Sequence, residues 1–248
     1  MAVFRTGNPA LGEDTFRGVP RTGGATMTLQ GAVNKTGISL LIMMATATVT
    51  WNMENTGLAT LLLVLGLVGG LVVAFATIFK KEWAPFTTPL YAALEGLVLG
   101  AISVQYQQRY EGIVPLAVGL TMGTLGALLL AYTSRLIKVT QNFRLGVFAA
   151  TGAIGLLYLV SFVLGIFGIR IPLIHEAGIV GIGFSVVVVV IAALNLVLDF
   201  DFIERGAASG APKYMEWYAA FGLLVTLIWL YLEILRLLAK IMGSKDRR

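Results

Sequence analysis

Four carboxylates, Glu95, Asp199, Asp201 and Glu233, stand in otherwise apolar stretches of the sequence. An ionisable group in hydrocarbon is costly unless it pairs, takes a proton or faces water. Glu95 lies between Leu94 and Gly96, with no Lys or Arg within two helical turns. It therefore needs a partner on another helix or a proton, either as a functional acid or as a neutral, hydrogen-bonded structural one. Glu233 lies in Tyr231-Leu232-Glu233-Ile234-Leu235-Arg236. Arg236 at i+3 shares its helix face. Glu233 thus reads either as half of a local ion pair near an interface or as an inward carboxylate that meets another helix. Asp199 and Asp201 lie in Leu198-Asp199-Phe200-Asp201-Phe202-Ile203-Glu204. Positions i and i+2 point about 200° apart on a helix. One should face the bundle, the other water or a headgroup. If Asp199 meets Glu233, the two cannot easily both ionise, and one proton is shared. Titration then belongs to the pair. When that proton leaves, the site suits a hard cation with oxygen ligands, such as calcium.

Other chemistries lack their residues. There is no cysteine, which removes disulfides, thiolate metal sites and Cys nucleophiles. The single histidine, His175, stands beside Glu176 with no second His for a zinc motif. It reads as a surface His in an outer loop, or as a pH sensor. Asp199 follows Val197-Leu198, not the Gly-x-Gly of aspartyl intramembrane proteases. Ser103, Ser161 and Ser185 have no evident base. A retinal Schiff base needs a Lys inside the last helix, and Lys240 sits at its end. No internal repeat marks a secondary transporter. The chain reads as a non-enzyme with no resident cofactor.

The elements that must position these acids follow from composition. Of 248 residues, 57% are hydrophobic and only 12% charged, and mean hydropathy is +0.85. Soluble domains carry about 25% charge. An ordinary soluble enzyme, a disordered chain and a nucleic-acid binder are excluded. An all-α, polytopic membrane protein with a seven-transmembrane-helix bundle is expected, with the lipid bilayer as its first partner. Apolar runs long enough to cross cover 31–51, 57–79, 88–106, 112–134, 144–168, 174–198 and 214–241. Runs such as Leu61-Leu62-Leu63-Val64-Leu65 do not alternate as an outer-membrane barrel requires. Residues 1–30 read as a polar, partly disordered tail, 31–241 as the membrane domain and 242–248 as a basic C-terminal tail. Gly96/Gly100 and Gly119/Gly123 form GxxxG pairs, and Gly66, Gly69 and Gly70 cluster in the second span. Such spacing lets helix backbones approach, within one chain or between copies.

Orientation follows from Lys and Arg. With the N-terminus inside, the inner segments hold Arg5, Arg17, Arg21, Lys35, Lys80, Lys81, Arg135, Lys138, Arg144, Arg205 and Lys213, and the outer loops only Arg109 and Arg170. Seven crossings then put Arg236, Lys240, Lys245, Arg247 and Arg248 outside, against the rule. Either packing holds the last segment there, or it re-enters without crossing.

Taken in order, these pieces resemble the Bax inhibitor-1 family, the transmembrane Bax-inhibitor-motif proteins. The matching stretches are Leu196-Val197-Leu198-Asp199-Phe200-Asp201-Phe202-Ile203, Trp229-Leu230-Tyr231-Leu232-Glu233-Ile234-Leu235-Arg236-Leu237-Leu238 and Leu94-Glu95-Gly96-Leu97-Val98-Leu99-Gly100-Ala101-Ile102-Ser103. Asn8-Pro9-Ala10-Leu11 before Phe16 resembles the opening of a longer-tailed prokaryotic branch. The resemblance implies a pH-sensitive calcium leak, gated by protonation of an acid pair on the last two helices. Asp199 matches the first acid, with Ile203 at the family's spacing. Glu233 matches the second, where relatives often have the shorter Asp. The two together would be the calcium contact. Some bacterial relatives carry an acid in the second span. This chain has Gly69 and Gly70 there, and Glu95 is the candidate replacement. Lys80 or Lys81 matches a basic lock at the inner end of the second helix, and Arg236 is a third candidate lock. A cell (inner or plasma) membrane with a cytoplasmic N-terminus is implied. The rival reading is a non-channel regulator that binds and restrains a membrane-anchored ATP-dependent protease, a role that the tail 1–30 suits.

Overall fold

The computed structural model describes residues 25–53, 57–168 and 178–245. Among them are seven α-helices: α1 (Leu29–Trp51), α2 (Gly57–Phe79), α3 (Ala84–Arg109), α4 (Ile113–Thr133), α5 (Gln141–Ile166), α6 (Ile179–Ala208) and α7 (Met215–Lys245). A 3-10 turn, Lys81–Trp83, leads into α3. All seven are long and apolar enough to cross a membrane. The protein is an all-α, seven-span membrane protein. Many large apolar side chains stay exposed, among them Leu130, Phe162 and Ile179. Lipid tails cover such a surface at no hydrophobic cost, while the helices keep their backbone groups bonded internally.

Several helix ends differ by a few residues from those read in the sequence, and two bear on the charged segments. The acids at 199–204 read as the end of the sixth span, yet α6 runs on to Ala208. Asp201 and Arg205 pair at i,i+4 with a 2.9 Å contact, which supports the helix where the apolar run stops. The true stop is Gly210, at φ 68°. This left-handed residue lets the Ala211 N–H reach back to the Gly206 carbonyl at 3.2 Å. At the other end, residues 242–245, read as part of a basic tail, continue α7. His175, Glu176 and the Asn8-Pro9-Ala10-Leu11 motif lie outside the described residues.

The chain forms two compact units. One comprises Asp14–Arg109 and Asp201–Val225. Here α3 packs on both α1 and α2. Its small residues make the contacts. Added side chains at Gly96 and Gly100 would overlap Thr46 Oγ1, Thr50 Oγ1 and the carbonyls of Met43 and Ala47. On α2, a Cβ at Gly66 would lie 2.8 Å from the Leu94 carbonyl oxygen. Thr50 Oγ1 bridges the first seam, donating to the Leu97 carbonyl at 2.9 Å. Close backbone approach with one interhelical hydrogen bond is how helices associate when lipid offers no hydrophobic drive. Gly119 and Gly123 face open space instead. Gly100→Leu is therefore expected to destabilise the protein by about 1–3 kcal/mol through overpacking, and Gly119→Leu to be near neutral. Unfolding in detergent micelles, followed for both variants, checks the contrast.

The same unit ties down the start of the first span. Within the segment read as a tail, the Met27 N–H donates to the Ala211 carbonyl at 2.6 Å, and the Lys213 N–H to the Ala25 carbonyl at 3.1 Å. Thr28 caps α1, its Oγ1 accepting from the Gly31 N–H at 3.0 Å. Glu216, fully buried, accepts through Oε1 from the Thr28 N–H (3.0 Å), Thr28 Oγ1 (2.9 Å) and Lys213 Nζ (2.8 Å). A side chain at Gly31 would fall on this carboxylate.

The second unit comprises Tyr110–Phe200 and Thr226–Arg248, with Met1–Glu13 outside the described residues. Asn195 Nδ2 of α6 donates to Thr151 Oγ1 of α5 at 2.8 Å. The Tyr132 and Phe200 rings lie 5.9 Å apart.

Candidate functional site

α7 presents Glu233, Arg236 and Lys240 along one face, at i, i+3 and i+7. Glu233 is 1% exposed. Arg236 Nη1 donates to Glu233 Oε1 at 2.9 Å and to Oε2 at 3.1 Å. Tyr158 of α5 joins them: its hydroxyl donates to Glu233 Oε1 at 2.9 Å and accepts from Arg236 Nη1 at 2.7 Å. The guanidinium also lies 5.1 Å from the Tyr158 ring centroid, and Phe184 of α6 meets that ring edge-on. A cation held at once by a carboxylate, a hydroxyl and a ring face is a charge-assisted cluster spanning two helices. Glu233 is thus both things the sequence left open, half of an i+3 ion pair and an inward carboxylate engaged by another helix.

Asp199, on α6 in the same unit, is 0% exposed. Asp201 belongs to the other unit, where its pairing with Arg205 leaves it 13% exposed. Of the two acids set apart by the helix period, Asp199 is the buried one. Among the described residues no three His, Asp or Glu side chains gather as a metal site would need.

The other expected residues take separate places in the first-described unit. Glu95 is half-buried on α3 and accepts a hydrogen bond from Tyr91. Lys80 lies over the Trp83 ring, 4.9 Å from its centroid, and Lys81 over Tyr218 at 5.8 Å. Lys35 does the same over Trp217 at 5.1 Å. Lysines against Trp and Tyr at span ends suit a membrane interface. Tyr214 lies between two spans. Burial, and then the Glu82 carboxylate, hold its phenol above the ordinary value, so it does not titrate near neutrality.

Several residues escaped the sequence reading. Tyr158 is a lone hydroxyl in Leu156-Leu157-Tyr158-Leu159-Val160, and nothing local marks its partner. Lys240 was set aside as a helix-end residue, yet it is only 6% exposed. Its ammonium donates to the Gly181 carbonyl at 2.9 Å and to Ser185 Oγ at 2.8 Å. Glu216 stands at the start of a span, where an acid usually meets water. The one available signal was Lys213 three residues earlier.

A family model described as Bax inhibitor 1 like matches residues 8–243. Among curated proteins and solved structures, nothing matches the chain.

Proposed function

Because the chain belongs to the Bax inhibitor 1 like family, we propose that it is a pH-sensitive cation leak, with calcium as the permeant ion and Asp199 and Glu233 as its gate. The observation that carries this reading is the burial of two carboxylates, at 0% and 1% exposure, in the last two spans of one compact unit. Two buried acids in one membrane unit are costly unless charge is removed by a proton or a cation. Arg236 and Tyr158 compensate Glu233, which makes Arg236 the lock of the shut state. A proton shared by the acids keeps the path neutral. Its loss leaves an excess of carboxylate oxygen that a hard, oxygen-seeking cation can use. The membrane is the cell membrane, with the N-terminus on the cytoplasmic side.

The test is calcium flux into liposomes that hold the purified protein, followed from about pH 5 to 8. Wild-type flux is expected to change with pH, and Glu233→Gln to lose that response. Liposomes that leak no more than empty ones at any pH would overturn the reading. A regulator that restrains a membrane-anchored protease would then lead.

A further inference from the structure

Glu95 takes no part in the cluster on α7 and lies in the other unit. It stands at the midpoint of the 81–109 span. Its carboxyl accepts from Tyr91, one turn earlier on α3, and reaches across to α2. There a Cβ on Gly70 would lie 2.9 Å from Glu95 Oε1, so the carboxyl fills the space that a side chain at position 70 would need. Around Gly70 the contact is lined by Gly66, Gly69 and Leu94, none of which can solvate an anion.

The charged groups of the surrounding elements are all engaged or remote. α2 has no charged residue. The one charge of α1, Lys35, lies over Trp217. At the start of α3, Lys80 and Lys81 lie over Trp83 and Tyr218, with Glu82 beside them, and Arg109 stands at its far end. From α6, Asp201 pairs with Arg205, and Glu204 stands one residue before that arginine. From α7, Glu216 pairs with Lys213. Among the described residues no cation pairs with Glu95.

A mid-span carboxyl with one phenol as partner and no counter-ion is stable only as the neutral acid. We propose that Glu95 is a proton-binding site, seated on Gly70, that holds a proton in the resting protein at neutral pH. The proton ties the α2–α3 seam together: an ionised Glu95 would have to leave Gly70 for water. The site does not rest on the leak reading, and its test does not measure flux.

Two readouts decide it on the full-length protein in lipid vesicles. Infrared spectra at neutral pH are compared for wild type and Glu95→Gln. The C=O stretch of a protonated carboxyl is expected to lose one group's intensity in the variant. Identical spectra would overturn the proposal, because Glu95 would then be a carboxylate already. Dicyclohexylcarbodiimide, an apolar reagent that adds to the O–H of a protonated acid from within the bilayer, is expected to label wild type. Mass spectrometry of the peptide spanning 84–109 should place the adduct on Glu95, which needs no variant to fold. Labelling by a water-soluble carbodiimide alone would put the acid at an aqueous surface and overturn the proposal.

Discussion

Arg236→Ala is expected to destabilise the protein by about 3 kcal/mol at neutral pH, the low end for removing one partner of a buried ion pair. The low end applies because Arg236 itself is 36% exposed at its side chain, whereas the Glu233 left behind is 2% exposed. The loss lies in the orphaned carboxylate rather than in the missing attraction. One outcome separates this from simple loss of packing. The double variant Arg236→Ala/Glu233→Gln should recover more than half of it, since an amide leaves no charge to compensate. A strictly additive double variant would mean that the pair does not couple. Unfolding of the four proteins in one detergent completes the cycle. In the leak reading, Arg236→Ala also removes the lock, and liposome flux should rise at every pH.

The second large effect is expected at Gly31. In Gly31→Leu the new side chain needs the space of the Glu216 carboxylate. Backbone on α1 cannot yield, so the carboxylate must. It then loses the Thr28 N–H and hydroxyl while its own Cα stays buried. We expect a cost of about 3 kcal/mol, from stranding a buried charge and uncapping a helix together. Gly37→Leu, six residues further along the same helix and facing open space, should cost little. Thermal unfolding of the two variants side by side makes the comparison. Equal losses would mean that helix α1, not the carboxylate, is what the substitution disturbs.

Much of the fold was legible because hydrocarbon imposes one simple demand, a run of about twenty apolar residues per crossing. The boundaries that slipped were those where charge interrupts the run. At Asp199 to Arg205 an acidic cluster looks like an end, but helical pairing carries the chain through it. The helix period correctly required Asp199 and Asp201 to part company, and could not say which one would turn inward. That choice is made by neighbours distant in sequence. The same holds for Tyr158, which meets Glu233 across 75 residues, and for Ser185, which meets Lys240 across 55. Local patterns announce the costly group, such as Glu95 or Glu233, because its cost is local. They do not announce the inexpensive hydroxyl that relieves it.

The capping of α1 bears on how the molecule is made. Thr28 and Glu216 are 188 residues apart. Helix α1 is therefore made well before the helix that supplies the carboxylate beside Thr28. Until then the Thr28 N–H is served by water or lipid headgroups. A chain stalled before residue 216 has α1 through α6 in hand, but lacks this closure. The contact joins two segments that are made far apart in time. A truncated product would carry a recognisable defect, an unfastened amino-terminal segment open to a quality-control protease.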